Sequence, residues 1–120
     1  MIPDEKLSQG EHIKKTRDFR LAYRDGSSVR RGPLVLYKRK NDAGISRLGI
    51  SISSRVIKRA VRRNRMKRIL REVYRKHKIH IARGFDIVVV IKKEAYENPT
   101  YMIIEPLFLS LAKEARLLRV

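Results

Sequence analysis

Residues 60–78 read AVRRNRMKRILREVYRKHK and form the longest helical pattern in the chain. Apolar side chains recur every three or four residues at Met66, Ile69, Leu70 and Val73, and His77 continues the same stripe. This spacing is typical of a helix that buries one face. The sequence therefore predicts an amphipathic helix whose apolar stripe lies in a core.

The opposite side of this helix is basic. Asn64, Arg68, Arg71 and Arg75 follow one another at intervals that place them on one face of a helix with 3.6 residues per turn. Residues 55–78 contain twelve basic residues and one acidic residue, and so carry +11 of the chain's net charge of +18. A solvated helix face normally mixes both signs of charge, so we expect this one to bind phosphate. Arginine outnumbers lysine here, and its planar guanidinium pairs with phosphate through two hydrogen bonds, which favours nucleic acid over a membrane.

Strands are predicted on both sides of the helix. Apolar residues occupy every second position in residues 47–53, which predicts a half-buried strand. Residues 34–40 predict another strand, and the turn-forming residues 41–44 between the two predict a hairpin. Residues 85–91 are almost wholly apolar and predict a strand covered on both faces.

Shorter helices are predicted towards the two ends of the chain. Residues 16–24 predict one, with its first residue as the N-cap and Gly26 at its end. Residues 105–118 predict another, in which Pro106 is tolerated at the first position, and residues 101–104 are either its first turn or an extended lead-in. The order of elements predicts an α+β fold with helices packed on a small sheet.

Length and composition limit the classes of protein. With 120 residues, 42% of them hydrophobic, the chain predicts one domain over residues 1–120, with residues 1–12 as a loosely ordered arm. The lack of cysteine excludes a disulfide scaffold, a cysteine-ligated zinc site and a thiol nucleophile. Residues 1–6 contain no apolar leader, and the longest apolar run is far shorter than a membrane span, so we expect a cytoplasmic protein without a membrane partner.

Residues suited to catalysis are few. No pair of carboxylates follows a predicted strand, and no glycine-rich phosphate loop is present. His77 and His80 lie three residues apart, so one alternative is a nuclease that uses them with a lysine as acid and base. The other interpretation gives them structural roles on the apolar stripe and at the helix end. The residues themselves favour a binding module with no catalytic side chain and no metal site.

The string RNRMKRILR at residues 63–71 resembles the RNR signature of the bacterial ribonuclease P protein family. The similarity extends from about Ile13 to near the C-terminus. It includes Asp18, Phe19, Tyr23, Gly26, Ser28, Val29, Val35–Tyr37, Leu48–Ser53 and Asp86–Val90.

This resemblance implies a fold and a function. The fold is an αβββαβα two-layer sandwich with a left-handed βαβ crossover, similar to the second domain of ribosomal protein S5. The function is that of the small basic subunit of a ribonucleoprotein endoribonuclease that removes the 5′ leader from precursor tRNA. The RNA subunit performs the cleavage and holds Mg²⁺, while the protein binds no cofactor alone and needs no protein partner. A non-catalytic ribosomal or RNA-chaperone protein on a similar fold is the alternative.

The resemblance also assigns two sets of site residues. Contact with the catalytic RNA is expected from Arg63, Asn64, Arg65, Lys67, Arg68, Arg71 and Arg75. Contact with the precursor tRNA leader is expected from Phe19, Tyr23, Val35, Tyr37, Ser51 and Arg55. Spacing alone places Phe19 and Tyr23 on one helix face that packs into a core, whereas the leader assignment requires part of their rings to be exposed.

Overall fold

A computed structural model describes residues 7–92 and 99–119 of the chain. It contains three α-helices and four β-strands. In chain order they are α1 (Thr16–Asp25), β1 (Ser27–Arg31), β2 (Leu34–Lys40), β3 (Arg47–Ile52), α2 (Ala60–His77), β4 (Phe85–Ile91) and α3 (Tyr101–Glu114). The α+β class and the predicted order of elements are confirmed.

The four strands form one mixed sheet in the order β1-β2-β4-β3. β2 pairs with β1 and β4 in antiparallel fashion, while β3 pairs with β4 in parallel. The predicted hairpin of β2 and β3 is wrong, because β4 lies between these strands. The hairpin is instead formed by β1 and β2 around Gly32, which adopts a φ of 53°.

The connection β3–α2–β4 has the hand implied by the resemblance. Val88 and Val90 of β4 face the side of the sheet that carries α1. The even-numbered residues of β4 direct their backbone hydrogen bonds towards β2, as shown by the Lys92 N–H, which donates to the Pro33 carbonyl at 2.7 Å. When the sheet is viewed from α1 with β4 pointing up, the chirality of L-amino acids then places β2 to the right of β4 and β3 to its left. Because α2 lies behind the sheet in that view, the crossover is left-handed, opposite to nearly all βαβ units.

The principal core lies between the sheet and the pair α2 and α3. Here Tyr74 of α2 meets Phe108 of α3 edge to face, with 6.3 Å between ring centroids. The core is lined by Leu34, Leu36, Leu48, Ile87, Val89 and Ile91 from the sheet, Met66, Leu70 and Val73 from α2, and Ile104, Leu111 and Ala112 from α3. The sheet and these two helices form the expected two layers, and α1 covers part of the other face through Ala22 and Val88.

The helix ends differ in detail from the predictions. α1 starts at Thr16 and takes Lys15 as its N-cap, so Thr16 is not the cap. α3 starts at Tyr101 rather than Glu105, and Pro106 lies inside the helix instead of at its first position. The earlier start buries Ile104 completely against the sheet, which extends the apolar stripe of α3 by one turn.

The segment of residues 7–15 lies along the outer edge of β3. His12 forms a parallel bridge with Leu48, and the Ile13 N–H donates to the Leu48 carbonyl at 2.9 Å. The Glu11 carboxylate lies 3.3 Å from the Lys78 ammonium group at the end of α2. His12 and Ile13 are therefore paired with the edge of β3, and Glu11 is held at the end of α2. The loosely ordered arm was predicted for residues 1–12, of which residues 1–6 lie outside the described part.

Candidate nucleic-acid interface

The middle of α2 presents unpaired cations to solvent. Asn64, Arg68 and Arg71 are exposed, while Lys67 beside them is half-buried. Among residues 7–92 and 99–119, nothing pairs with the guanidinium groups of Arg68 and Arg71. The first turn of α2 also contains no acidic residue, so the positive end of the helix dipole adds to this charge. The face can therefore bind phosphate without first breaking an internal ion pair.

Three other arginines of the predicted set have partners within the protein. Arg63 donates from one guanidinium nitrogen to the carbonyls of Ile57 and Lys58, both at 2.8 Å, and so holds the loop that leads into α2. Arg65 donates to the Pro99 carbonyl at 3.3 Å.

The Arg75 side chain is only 15% exposed and donates to the Glu72 carboxylate at 2.8 Å. This ion pair holds the pKa of Glu72 below its ordinary value. Arg75 thus belongs to the helix surface beside the exposed cations, with most of its side chain covered. RNA contacts by Arg63, Arg65 and Arg75 remain predictions.

Aromatic residues of α1 and β2 meet on the other face of the sheet. Tyr23 is 40% exposed, and its ring contacts the Tyr37 ring edge to face, with 4.9 Å between centroids. Phe19 packs over Gly49 so closely that a Cβ there would lie 2.9 Å from its ring. The aromatic patch, defined as Phe19, Tyr23 and Tyr37, therefore combines rings seated on the sheet with ring surface open to solvent.

The remaining predicted leader residues lie around this patch. Val35 and Ser51 flank Val90 in one row across the sheet, next to the row that contains Tyr37. Val35 is only 7% exposed and offers little surface, whereas Ser51 is half-buried. Arg55 is exposed in the loop after β3. The structure thus brings five of the six residues onto one sheet face and its covering helix, and places Arg55 beyond the end of the strand.

A buried ion network fixes the sheet beneath α1. Asp86 of β4 is fully buried and accepts hydrogen bonds from Arg47 at 2.8 and 2.6 Å and from Asn41 at 2.8 Å. Arg47 also lies 3.6 Å from the Asp18 carboxylate of α1. The bonds to Asp86 raise the pKa of the Arg47 guanidinium. Because Arg47 lies against both carboxylates, they do not form an open cation site.

The histidines proposed for a nuclease have different surroundings. His77 Nε2 lies 2.7 Å from the Glu105 carboxylate, which also accepts a hydrogen bond from the Tyr101 hydroxyl at 2.8 Å. The bond to His77 lowers the pKa of Glu105, and burial together with the bond to Glu105 raises the pKa of Tyr101 to about 12. His77 thus ties α2 to α3, while His80 is exposed.

Metal-binding and membrane-spanning features can be checked in the described part of the chain. There, no group of three or more His, Cys, Asp and Glu side chains could hold a metal ion. Within the same residues, no helix has the length and apolar character needed to cross a bilayer.

One feature of the surface was missed by reasoning from the sequence. A cleft of about 440 Å³ lies between the 7–15 segment, β3 and α2. Its polar lining comes from Gln9, His12, Lys14, Lys67 and Arg71. The basic spacing of α2 indicates the last two residues, but no sequence signal shows that the 7–15 segment pairs with β3.

Comparisons with known proteins agree on one family. The sequence model described as Ribonuclease P matches residues 7–115. The ribonuclease P protein component of Thermotoga maritima is 37% identical over 112 residues, covering 91% of this chain and 95% of that protein. The component from Clostridium botulinum strain Langeland is 38% identical over 104 residues, covering 86% and 92%.

Solved structures show the same relationship. The RNase P protein of Staphylococcus aureus superposes with a TM-score of 0.81 at 34% identity, covering 91% of this chain and 98% of that one. The RNase P protein from Thermotoga maritima gives a TM-score of 0.74 at 35% identity, covering 92% and 96%. The sequence match and the shared fold both extend over most of the chain, so this protein belongs to the ribonuclease P protein family.

Proposed function

We propose that this protein acts in the cytoplasm as the protein subunit of ribonuclease P, binding the catalytic RNA and the 5′ leader of precursor tRNA. Its family takes part in the 5′ processing of tRNA. The observation that carries the proposal is that one small fold presents an unpaired cationic helix face and a separate, half-exposed aromatic patch. Two surfaces of different chemistry suit a protein that holds two RNA segments at once.

The cationic face of α2, defined as Asn64, Lys67, Arg68 and Arg71, is proposed to bind the catalytic RNA. Arg68 and Arg71 can each form two hydrogen bonds with a phosphate, and Asn64 and Lys67 add further donors beside them. Arg63 and Arg65 hold the start of α2 in place through backbone carbonyls. The internal bonds of these two residues therefore order the surface on which the exposed cations lie.

The aromatic patch is proposed to bind the single-stranded leader. Base stacking on an aromatic ring contributes roughly 1–3 kcal/mol per base and depends little on which base is stacked. The exposed part of Tyr23 and the adjoining Tyr37 ring provide such a surface. A subunit that serves many precursor tRNAs requires this tolerance, because their leaders differ in sequence.

Mg²⁺ is assigned to the RNA subunit in this proposal. In the described part of the chain, no three His, Cys, Asp or Glu side chains lie together as ligands for the ion, and Asp86 is fully buried and bonded to Arg47 and Asn41. Bound on the RNA, Mg²⁺ would activate water and stabilise the charge that develops on the cleaved phosphate. The protein's cations reduce repulsion between the phosphates of enzyme and substrate, so that less Mg²⁺ is needed for assembly.

A cleavage assay on 5′-labelled precursor tRNA at low Mg²⁺ tests the proposal. Four reactions contain the protein alone, a bacterial catalytic RNA alone, both, or neither. Cleavage at the mature 5′ end only with both components is the expected result. Cleavage by protein alone would favour a nuclease that uses His77 or His80. Tight RNA binding without cleavage, when the catalytic RNA is active with its own protein, would favour a ribosomal or RNA-chaperone role.

Two substitutions separate the proposed surfaces. We expect Tyr37→Ala to weaken binding of precursor tRNA to the assembled enzyme by about 5- to 150-fold, the equivalent of roughly 1–3 kcal/mol, and to leave mature tRNA binding unchanged. Arg68→Ala should instead weaken assembly with the catalytic RNA. Equilibrium binding of labelled RNAs measures both effects.

Matched variants control for general damage. Tyr37→Phe keeps the ring and should bind precursor tRNA like the unmodified protein. Arg24→Ala removes an exposed arginine that pairs with Asp25, away from the cationic face of α2, and should leave assembly intact. Equal losses of precursor and mature tRNA binding in Tyr37→Ala would contradict the leader assignment.

A further inference from the structure

The cleft between the 7–15 segment, β3 and α2 has the composition of an anion site. Lys14, Lys67 and Arg71 line it together with Gln9 and His12, and no carboxylate is among its lining residues. Its floor is formed by Ile13, Leu48, Gly49 and Ile50. Three cations around an apolar floor repel one another until an anion enters, so an occupant of negative charge is favoured.

His12 is held at this cleft by its backbone pairing with β3, and its imidazole also bonds to the Leu7 backbone. The backbone of His12 forms the bridge with Leu48, and the Ile13 N–H donates to the Leu48 carbonyl at 2.9 Å. The imidazole is half-buried between the cations. A substitution at this position therefore changes the chemistry of the cleft and removes the bond to Leu7, while the backbone pairing with β3 does not depend on the side chain.

The charged groups around His12 oppose its protonation. Burial, followed by the positive charges of Arg71 and Lys14, holds the pKa of His12 below the ordinary value for imidazole. Lys67 lines the same cleft from α2. The charge of Glu11 and the bond to the Leu7 backbone act in the opposite direction, but the Glu11 carboxylate also lies 3.3 Å from the Lys78 ammonium group, which offsets its charge. The surroundings of His12 in the free protein therefore favour the uncharged imidazole.

We propose that this cleft binds a phosphate group of RNA and that His12 takes up a proton when the phosphate enters. An anion placed among Lys14, Arg71 and His12 cancels the repulsion that keeps the imidazole neutral, and it accepts a hydrogen bond from the protonated ring. The site rests on the proposed function, since it extends the catalytic-RNA surface of α2 around the edge of β3. It adds Gln9, His12 and Lys14 to that surface and makes RNA binding depend on pH.

The direction of this dependence follows from proton linkage. The bound state has the higher His12 pKa, so binding is strongest below the pKa of the free protein and weakens as the pH rises through the pKa of the complex. Uptake of one proton limits the loss of affinity to about tenfold per pH unit within this window.

The test measures binding of a bacterial ribonuclease P catalytic RNA from pH 5.5 to 8.5, at constant sodium and magnesium concentrations. We expect the affinity of the unmodified protein to fall across this range and that of His12→Gln to vary much less. His12→Lys carries a permanent charge and should bind as tightly at pH 8.5 as at pH 5.5. His80→Gln removes an exposed histidine outside the cleft and should keep the original pH dependence.

A second measurement tests the cleft without RNA. The pKa of each histidine is followed by NMR with and without sulfate, in sodium chloride solutions of equal ionic strength. Sulfate should raise the pKa of His12 more than that of His80, and Arg71→Gln should reduce this rise.

The outcomes separate the two proposals. An identical pH dependence in the unmodified protein and His12→Gln, with RNA still bound tightly, would overturn the proton-linked site and leave the subunit role intact. Failure of the unmodified protein to bind the catalytic RNA at any pH would overturn the subunit role. In that case an unchanged His12 pKa in sulfate would overturn the anion site, and a raised one would support it.

Discussion

Gly26 lies where the end of α1 passes close to β2. A Cβ atom at this position would lie 2.5 Å from the Ala22 carbonyl oxygen and 2.7 Å from the Lys38 carbonyl oxygen. Both obstacles are backbone atoms, so no side-chain rotation can relieve the contact. The residue is thus required for the close approach of helix and sheet, and its backbone is extended (φ −87°) rather than left-handed.

Gly26→Ala should therefore lower the free energy of unfolding by about 1–3 kcal/mol, in the range of overpacked sites. Urea denaturation followed by circular dichroism measures this change. Gly10→Ala is the matched control, because its added Cβ would meet its nearest neighbour, a side-chain atom of Ile45, at an ordinary 3.8 Å. Equal stability of the two variants would show that the backbone at Gly26 adjusts without loss.

The arginines of α2 show what helical spacing can and cannot predict about single residues. Helical spacing correctly predicts that Arg68 and Arg71 are exposed on the side away from the core. It cannot predict that Arg63 bonds to the carbonyls of the preceding loop, because that depends on the path of the loop in space. The same holds for His12, whose position in the cleft depends on a strand edge 36 residues further along the sequence at Leu48.

Among the secondary-structure elements, β4 shows most clearly what pattern can and cannot predict. Its apolar run predicts a strand covered on both faces, and Ile87, Val88 and Val89 are indeed fully buried. Its position between β2 and β3 depends on pairing between distant parts of the sequence, which no local sequence pattern predicts. β1 was not predicted from its own residues, because the sequence SSVRR lacks the apolar alternation of a half-buried strand. Only the resemblance implied a third strand before α2 and a left-handed crossover.

The network around Asp86 joins β3, β4 and α1, and its loss should affect the whole sheet. Arg47→Met removes both guanidinium bonds to a fully buried carboxylate, so we expect the free energy of unfolding at pH 7 to fall by about 3–5 kcal/mol. Thermal and urea unfolding measure this loss.

Two further variants test whether the loss of stability in Arg47→Met comes from the broken ion pair with Asp86. Arg39 lies opposite Asp86 in the register of β2, but the hydrogen bonds described for Asp86 come from Arg47 and Asn41, so Arg39→Met should have little effect. Adding Asp86→Asn to Arg47→Met removes the buried charge and should recover part of the lost stability. A loss in Arg39→Met as large as in Arg47→Met would contradict the role given to this network.

For the whole molecule, the dominant feature is a net charge of +18 on 120 residues. Charge of one sign destabilises a compact state through self-repulsion. In the part of the chain that the structure describes, the exposed guanidinium groups of Arg68 and Arg71 have no acidic partner to offset it. The free protein should therefore be less stable than the same fold with a polyanion bound.

Sulfate at millimolar concentrations should raise the melting temperature above that in sodium chloride of equal ionic strength, because an anion that binds only the folded state stabilises it. Scanning calorimetry measures the difference. The double variant Arg68→Gln and Arg71→Gln should gain less from sulfate. An equal gain in both proteins would mean that sulfate acts through general exclusion from the protein surface.

The position of β4 also has a consequence for the order in which the protein is made. β1 and β2 leave the ribosome early and can pair at once. β3 cannot join their sheet until β4, which lies between β2 and β3, has been synthesised. The whole of α2, with its dense positive charge, leaves the ribosome during that wait. The nascent chain thus exposes its polycationic segment near ribosomal RNA before the sheet that supports it can form, and a chain that stops before Phe85 lacks the strand that joins β2 to β3.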